Sequence, residues 1–182
     1  EIYDRFRNRI IFPISNQEGK IIAFGGRVID DGQPKYLNSP ETKLFSKGRN
    51  LYSYHLALKS AFRKGKIIIS EGYFDVIAFH KIGIENVVSP LGTALTKDQI
   101  KLIWDKGIEL VICLDGDEAG YRASKKVIRE IFSIMGPKNK ISFTLLPLSF
   151  DPDEMIKNNL SEELKKLVDN PLSLSEMLIN SE

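Results

Sequence analysis

Two short runs rich in β-branched and aromatic residues, Arg9–Ile14 and Lys20–Phe24, flank the turn-forming stretch Asn16–Gly19 and predict a β-hairpin. The pair Gly25-Gly26 that follows predicts a bulge or a close approach of backbone. From Asp30 to Asn50 the hydrophobic pattern loses any period and turns rich in Pro, Gly, Asn and Ser. A loop of that length is unusual inside a compact domain and is often functional. A helical period returns over residues 51–64, with Leu51, Tyr54, Leu58 and Phe62 on one face.

Beyond Lys66 the rhythm becomes strand, helix, strand, helix. Ile67-Ile68-Ile69 reads as an apolar strand, followed by a helix from Tyr73 to Ile82 that Gly83 stops. Val87-Val88 is a second strand. Thr96, with Gln99 three residues on, forms a capping box for a helix that Gly107 closes. Leu110–Leu114 is a third strand, followed by a helix from Ala119 to Met135, and Ile141–Leu146 is a fourth strand. Continuously apolar strands alternating with helices predict an α/β fold whose parallel sheet is covered on both faces. From Asp153 onward the chain reads as helical, with Leu164 and Leu167-Val168 as apolar anchors. No internal repeat or low-complexity stretch interrupts this order.

Composition narrows the class. Hydrophobic residues make up 42% of the 182 positions and charged ones 27%, enough for a core and too many charges for a membrane-spanning bundle. No signal peptide opens the chain, and its first residue, Glu1, reads as the start of a fragment. The single cysteine, Cys113, lies inside an apolar run and reads as buried packing in a reducing cytoplasm. His55, His80 and Trp104 likewise read as packing. The net charge of +2 is unevenly spread: residues 1–66 hold 13 basic against 6 acidic side chains, and residues 67–182 hold 13 against 18. That asymmetry suits a basic surface for nucleic acid beside an acidic metal site, although ordinary solvated surface explains it as well.

Acids follow three of the predicted strands. Glu71 and Asp75 come after the first, Asp115 and Asp117 after the third, and Asp151 and Asp153 after the fourth. In a parallel open sheet the carboxyl ends of the strands share one edge, where ligands bind. Clustered carboxylates repel unless cations neutralise them, and hard oxygen donors suit Mg²⁺ or Mn²⁺. Singly, Asp117 or Asp151 reads better as a helix cap or turn residue; three such groups at three strand ends point to a site. Glu71 suits either a general base or a metal ligand, and Asp75 lies one helical turn beyond it.

The basic residues gather earlier. Arg5, Arg7 and Arg9 alternate, so an extended backbone projects all three from one face. Arg27 follows the glycine pair, and Lys35, Asn38, Lys43, Lys47 and Arg49 crowd the long loop. Such side chains suit phosphates, and Tyr36 suits stacking on a base. A charged edge that resists aggregation is the alternative. Arg122, Lys125, Lys126 and Arg129 form a helical stripe that reads as a solvated face.

Glu71-Gly72 after one strand and Asp115-Gly116-Asp117 after another resemble the signature of Toprim domains. Longer strings narrow this resemblance. Arg5-Phe6-Arg7-Asn8-Arg9-Ile10-Ile11-Phe12-Pro13-Ile14, Phe24-Gly25-Gly26-Arg27 and Pro34-Lys35-Tyr36-Leu37-Asn38-Ser39-Pro40-Glu41-Thr42 are similar to DnaG-type bacterial primases, as are Glu71-Gly72-Tyr73-Phe74-Asp75, Ser89-Pro90-Leu91-Gly92-Thr93 and Asp151-Pro152-Asp153. The resemblance covers nearly the whole chain.

It implies a Toprim-like parallel sheet flanked by helices over 66–150, a basic strand-containing α+β lobe over 1–65, and the end of the metal site with the start of a helical lobe over 151–182. It implies metal-dependent, template-directed synthesis of RNA primers on single-stranded DNA, with Glu71, Asp115 and Asp117 catalytic and Glu71, Asp75, Asp115, Asp117, Asp151 and Asp153 holding Mg²⁺ or Mn²⁺. It further implies that Arg9, Lys35, Asn38 and Lys47 contact nucleotide or template. The implied partners are single-stranded DNA, ribonucleoside triphosphates, the RNA primer, and the replicative helicase through a C-terminal domain outside this chain. The implied place is the cytoplasm, at the replication fork. A Toprim nuclease or topoisomerase fragment and a non-catalytic DNA-binding Toprim module are the rivals.

Overall fold

A computed structural model describes residues 3–116 and 127–179. Strands β1 (Arg9–Ser15) and β2 (Ile21–Val28) pair antiparallel, and β3 (Tyr36–Asn38) adds to the far edge of β2. The hairpin turn closes because Asn16 Oδ1 accepts from the N–H groups of Glu18 and Lys20, while Gly19 takes φ +84°. Gly25 and Gly26 stay in register opposite Phe12 and Ile11, so the expected bulge is absent there and the irregularity falls at Ile14/Ser15. Close approach is what the glycines provide. A Cβ at Gly25 would lie 2.5 Å from the Tyr73 hydroxyl oxygen, and one at Gly26 would lie 2.8 Å from the Phe6 ring.

Two expectations about the first fifty residues change. The long loop contains β3 and a 3₁₀ turn at Lys47–Arg49, both three residues long and too short to show a period. Arg5, Arg7 and Arg9 do not share one face of an extended segment. The chain bends at Arg5-Phe6 and again at Asn8, whose φ of +52° breaks the two-residue alternation.

The second sheet has the order β5-β4-β6-β7-β8, built from β4 (Lys66–Ile69), β5 (Val87–Val88), β6 (Glu109–Leu114), β7 (Ile141–Leu145) and β8 (Leu172–Ser173). The first four are parallel; β8 pairs antiparallel with β7 and, at two residues, left no pattern to read. Alternate residues feed two cores. Ile67, Ile69, Leu110, Ile112 and Leu114 pack on one side, and Ile68, Val111 and Cys113 on the other. Helices α1 (Tyr54–Lys64), α3 (Lys97–Trp104) and α4, helical over 127–132, cover the first face. Helices α2 (Tyr73–Lys81), α5 (Pro152–Lys157) and α6 (Ser161–Asp169) cover the second, and α7 (Leu174–Ile179) returns Met177 to the first. The start of the helix expected from Ala119, and with it Arg122, Lys125 and Lys126, lies outside the described residues.

Local chemistry explains the helix limits. Thr96 and Gln99 form the reciprocal capping box of α3, and Gly83 (φ +82°) follows α2. Helix α1 starts at Tyr54, not Leu51, so its buried stripe is Tyr54, Ala57, Ser60 and Ala61, and Phe62 points outward, 57% exposed. Leu164 and Val168 bury α6, and the Lys66 ammonium donates to the Val168 carbonyl at 2.8 Å. Burial pushes the Cys113 thiol well up, consistent with packing. Trp104 is buried, its indole N–H donating to the Lys140 carbonyl at 3.0 Å. His55 and His80 are half-buried.

A third core, Phe12, Ile14, Ala23, Phe45, Tyr73 and Leu91, joins the small sheet to α2. Tyr73 stacks on Phe12 with ring centroids 4.8 Å apart, so its ring cannot retreat from an intruding methyl. Gly25→Ala is therefore expected to lower the unfolding free energy by about 1–3 kcal/mol, the usual cost of overpacking a filled core. Urea denaturation checks this; wild-type stability in the variant would show that the junction has slack.

Candidate functional site

Strands β4, β6 and β7 are adjacent and parallel, so their carboxyl ends lie side by side. Glu71 follows β4, Asp115 follows β6, and Asp151 follows the turn after β7. The last two connections are locked by backbone. Gly116 N–H donates to Phe150 O at 3.1 Å, and Ser149 N–H donates to Gly116 O at 2.9 Å. Any Cβ at Gly116 would run into the Pro147 carbonyl, so the residue after Asp115 must be glycine for the turns to meet.

One pocket of about 590 Å³ gathers the result. Its walls include Glu71, Asp75, Asp115, Asp151, Asp153 and Glu154, together with Arg27, Lys35 and Lys157. Five of the six expected metal-site acids thus share one cleft; Asp117 lies outside the described residues.

Each acid has its own setting. Asp75 is the most buried, 8% exposed, and its carboxylate accepts from Gly72 N–H at 2.8 Å. Burial pushes its pKa up to about 6, with Asp151 and Glu71 adding to the rise and the Gly72 bond opposing it. Asp151 is the N-cap of α5, Oδ1 accepting from Glu154 N–H at 2.7 Å. The cap and turn role is therefore real, and it coexists with a place in the pocket. Asp153 is ion-paired with Lys157, one turn along α5.

The basic and polar residues divide. Lys35 and Asn38 reach the pocket; Arg9 and Lys47 are not among its lining residues. Arg9 instead donates to the Lys35 carbonyl at 3.4 Å and supports the segment carrying that lysine. The Asn38 amide is engaged within the protein, accepting from Tyr73 Oη–H at 2.6 Å and donating to Leu91 O at 2.8 Å. Arg5 grips the Asn38 carbonyl through two bonds, at 2.8 and 3.2 Å. Lys47 is held through its backbone N–H, which donates to Glu41 Oε1 at 2.9 Å.

Arg27 belongs to the basic set that suits phosphates, though not to the contacts the resemblance implies, and it too lines the pocket. Its guanidinium sits 4.7 Å from the Phe74 ring centroid and 5.7 Å from that of Tyr36, two cation–π contacts that set it at the pocket wall. Its place in Phe24-Gly25-Gly26-Arg27, beside the paired glycines, was the available signal.

Among the described residues no three of His, Cys, Asp or Glu form a ready-made chelating group. The donor set still fits a hard divalent ion. It is all carboxylate, and the pKa of Asp75 is raised mainly by burial, with Asp151 and Glu71 adding to the rise, a stress that a nearby cation would relieve.

Comparisons with known proteins match both sheets of the chain. The family described as the N-terminal domain of the DNA primase catalytic core matches residues 1–58, and the Toprim domain family matches residues 65–144. A DNA primase of Rickettsia conorii is 46% identical over 178 residues, covering 98% of this chain and 30% of that protein. One of Clostridium acetobutylicum is 48% identical over 179 residues, covering 98% of this chain and 29% of that protein. The chain thus spans less than a third of the length of these relatives. A crystal structure of a DNA primase domain from Pseudomonas aeruginosa superposes with a TM-score of 0.91 at 37% identity, covering 98% of this chain and 56% of that one. A DnaG primase catalytic domain solved bound to single-stranded DNA superposes with a TM-score of 0.88 at 38% identity, covering 98% of this chain and 58% of that one.

The pH dependence of stability tests the stress that burial, with Asp151 and Glu71 beside it, puts on the Asp75 carboxyl. With its pKa raised from 3.8 to about 6, the native state binds more protons than the unfolded chain between those values. Stability is therefore lost as pH rises through that window, by roughly 3 kcal/mol at full deprotonation. In metal-free buffer, Asp75→Asn should be more stable than wild type at pH 8 and about equal to it at pH 4. Denaturant melts at the two pH values decide the matter; parallel pH profiles for the two proteins would show that the carboxyl is not under this stress.

Proposed function

The chain belongs to the DnaG-type DNA primase family, and from that membership we propose that it forms part of a catalytic core that builds short RNA primers on a single-stranded DNA template. This is the chemistry of a DNA-directed RNA polymerase, a nucleotidyl transfer in which a ribonucleotide 3′-hydroxyl attacks an incoming triphosphate and pyrophosphate leaves. The observation that carries the reading is the single pocket shared by carboxylates from three adjacent strand ends and by Arg27 and Lys35 from the small sheet. The resemblance to primases across both sheets supports this reading over a Toprim nuclease, a topoisomerase or a non-catalytic binding module.

Glu71, Asp75, Asp115, Asp151 and Asp153, with Asp117, are the proposed holders of Mg²⁺ or Mn²⁺. When bound there, such an ion would polarise the reacting phosphate and offset the charge that develops on it. Arg27 and Lys35, in the same pocket, bind the triphosphate, Arg27 held in place by the Phe74 and Tyr36 rings. Glu71 accepts the proton of the attacking hydroxyl or adds a ligand. Asp151 keeps its oxygens at the site because the α5 cap fixes its rotamer. Asn38 acts from behind, holding β3 and its neighbour Lys35 against Tyr73 and Leu91.

The residue ranges 1–65, 66–150 and 151–182 are proposed as basic lobe, Toprim domain, and end of the metal site with the start of a helical lobe. Ribonucleoside triphosphates, the RNA primer and the replicative helicase are proposed partners, and the replication fork in the cytoplasm the proposed place. Among the described residues no helix is long and apolar enough to cross a membrane.

In the longer protein that carries this core, Asp115→Asn should lower template-dependent incorporation of labelled ribonucleotide on the order of 100-fold or more, the scale seen when a group stabilising developing charge is removed. Mn²⁺ should raise the melting temperature of the wild type against an ionic-strength-matched control, up to about 2.7 kcal/mol at 100 times the dissociation constant. The shift should be smaller in Asp115→Asn. Wild-type incorporation by the variant, or an equal Mn²⁺ shift in both proteins, would remove Asp115 from the site.

A further inference from the structure

We propose that Lys157 is an exchangeable counter-ion of the acidic pocket, a role that rests on the function proposed above. Its ammonium pairs with Asp153 until a divalent ion takes that carboxylate, and it then turns to a phosphate of the incoming triphosphate.

Lys157 is the last residue of α5, the helix whose cap and first turn bring Asp151, Asp153 and Glu154 to the pocket, and it lines the pocket with them. Its ammonium is ion-paired with Asp153 Oδ2, four residues back. Helical side chains lean toward the N-terminus of their helix, so a lysine here leans toward the capped end that carries these acids. The hydrogen bond from Asp153 raises the pKa of the ammonium, and the charges of Asp153, Asp151 and Glu154 add to the rise. One lysine therefore feels three of the pocket's carboxylates. The pocket's other cations are held differently. Arg27 rests against the Phe74 and Tyr36 rings, whereas Lys157 is held by an acid that a metal would take.

An acid four residues before a lysine is also a common way to stabilise a helix. Exposure separates the two roles. In the surface pair Glu162–Lys165 of α6, the acid is 79% exposed and does not line this pocket. In the α5 pair the acid is only 20% exposed and lines the pocket, while the lysine is 68% exposed. A sheltered carboxylate with a mobile cation on it is what exchange requires, because the acid stays and the cation can leave. The threshold for leaving is low. An exposed i,i+4 pair is weak enough that the lysine raises the ion concentration needed by only about twofold. A divalent ion carries more charge than the ammonium and binds through several oxygens. Once released, the ammonium has three donors on a flexible stem and suits a phosphate as a point charge. Metal and triphosphate then favour each other, because the ion frees the lysine that the phosphate takes.

The test uses the longer protein that carries this core, as wild type, Lys157→Met, Lys157→Arg and, as a control at the α6 pair, Lys165→Met. Thermal melting against Mn²⁺ gives the ion concentration at half-maximal shift. Template-dependent primer synthesis at saturating Mn²⁺ gives KM for ribonucleoside triphosphate. Lys157→Met keeps a long side chain without its charge, and it should lower the Mn²⁺ midpoint by about twofold, the scale of an exposed i,i+4 pair. The same variant should raise the triphosphate KM several-fold. A lysine that only stabilised α5 would leave both values unchanged. Lys157→Arg should return both toward wild type, and Lys165→Met should leave both at wild type. An unchanged Mn²⁺ midpoint or an unchanged triphosphate KM in Lys157→Met overturns the proposal, as does an equal change in Lys165→Met. If wild type makes primers and its Mn²⁺ shift depends on Asp115 while Lys157→Met matches wild type, the proposed function stands without the exchange. If wild type makes no primers, it is the function that fails.

Discussion

The Tyr73 hydroxyl donates to Asn38 across the gap between the two sheets at 2.6 Å, and its ring stacks on Phe12 of the first strand. Tyr73 belongs to α2, two residues after Glu71 and two before Asp75. The same side chain thus carries the small sheet on one side and sits between two acids of the pocket on the other. Burial drives its phenol pKa far up, so it stays a neutral donor throughout the physiological range. Gly25 makes room for it, Tyr52 meets it edge-on at 4.7 Å, and Asn38 passes the connection to Leu91. With this junction in place, Arg27 and Lys35 share a pocket with carboxylates from the other sheet. Removing it would take away a contact, within the third core, that fixes these cations relative to the acids.

The pocket is where the structure departs from what stability alone would choose. Asp75 is a carboxyl held in a desolvated place beside Asp151 and Glu71, against its own ionisation. Locally unfavourable arrangements that the surrounding fold enforces are expected at functional sites. Here the enforcement is visible: the Gly72 N–H, the α5 cap and the backbone bonds around Gly116 each hold an acid where mutual repulsion would push it away.

What was legible in the sequence was what neighbouring residues carry by themselves: contiguous apolar runs, capping residues and glycine stops. The apolar runs at Ile67–Ile69, Leu110–Leu114 and Ile141–Leu145, the Thr96 box, and the stop at Gly83 all appear in the structure as the residues imply. The acids at strand ends converge because adjacency of β4, β6 and β7 follows from parallel topology. What was hidden depends on one or two residues or on partners distant in sequence. β3 and β8 are too short for a period, Asn8 turns the arginine segment through a single left-handed residue, and Phe62 is turned outward by where α1 begins. The bonds of Asn38 were hidden because its partners, Tyr73 and Leu91, lie 35 and 53 positions away.

Asp153 and Lys157 show how the pocket keeps its charge balance. Their ion pair places an ammonium among the acids, one turn along α5 and partly in solvent. Exposed i,i+4 pairs are worth only a fraction of a kcal/mol, so this one opposes the approach of a divalent ion only weakly. It does partly neutralise the cluster, as the Gly72 N–H and the α5 cap do at Asp75 and Asp151. These contacts partly offset the repulsion among the acids that line the pocket. Such a cluster does not need strong ion affinity of its own. Mg²⁺ keeps several waters and favours sites completed by substrate phosphates, and Arg27 and Lys35 in the same pocket offer the cations such phosphates would need. On the proposed reading, the acids that would hold a metal and the cations Arg27 and Lys35 that would hold phosphate line one pocket, so each ligand would favour binding of the other.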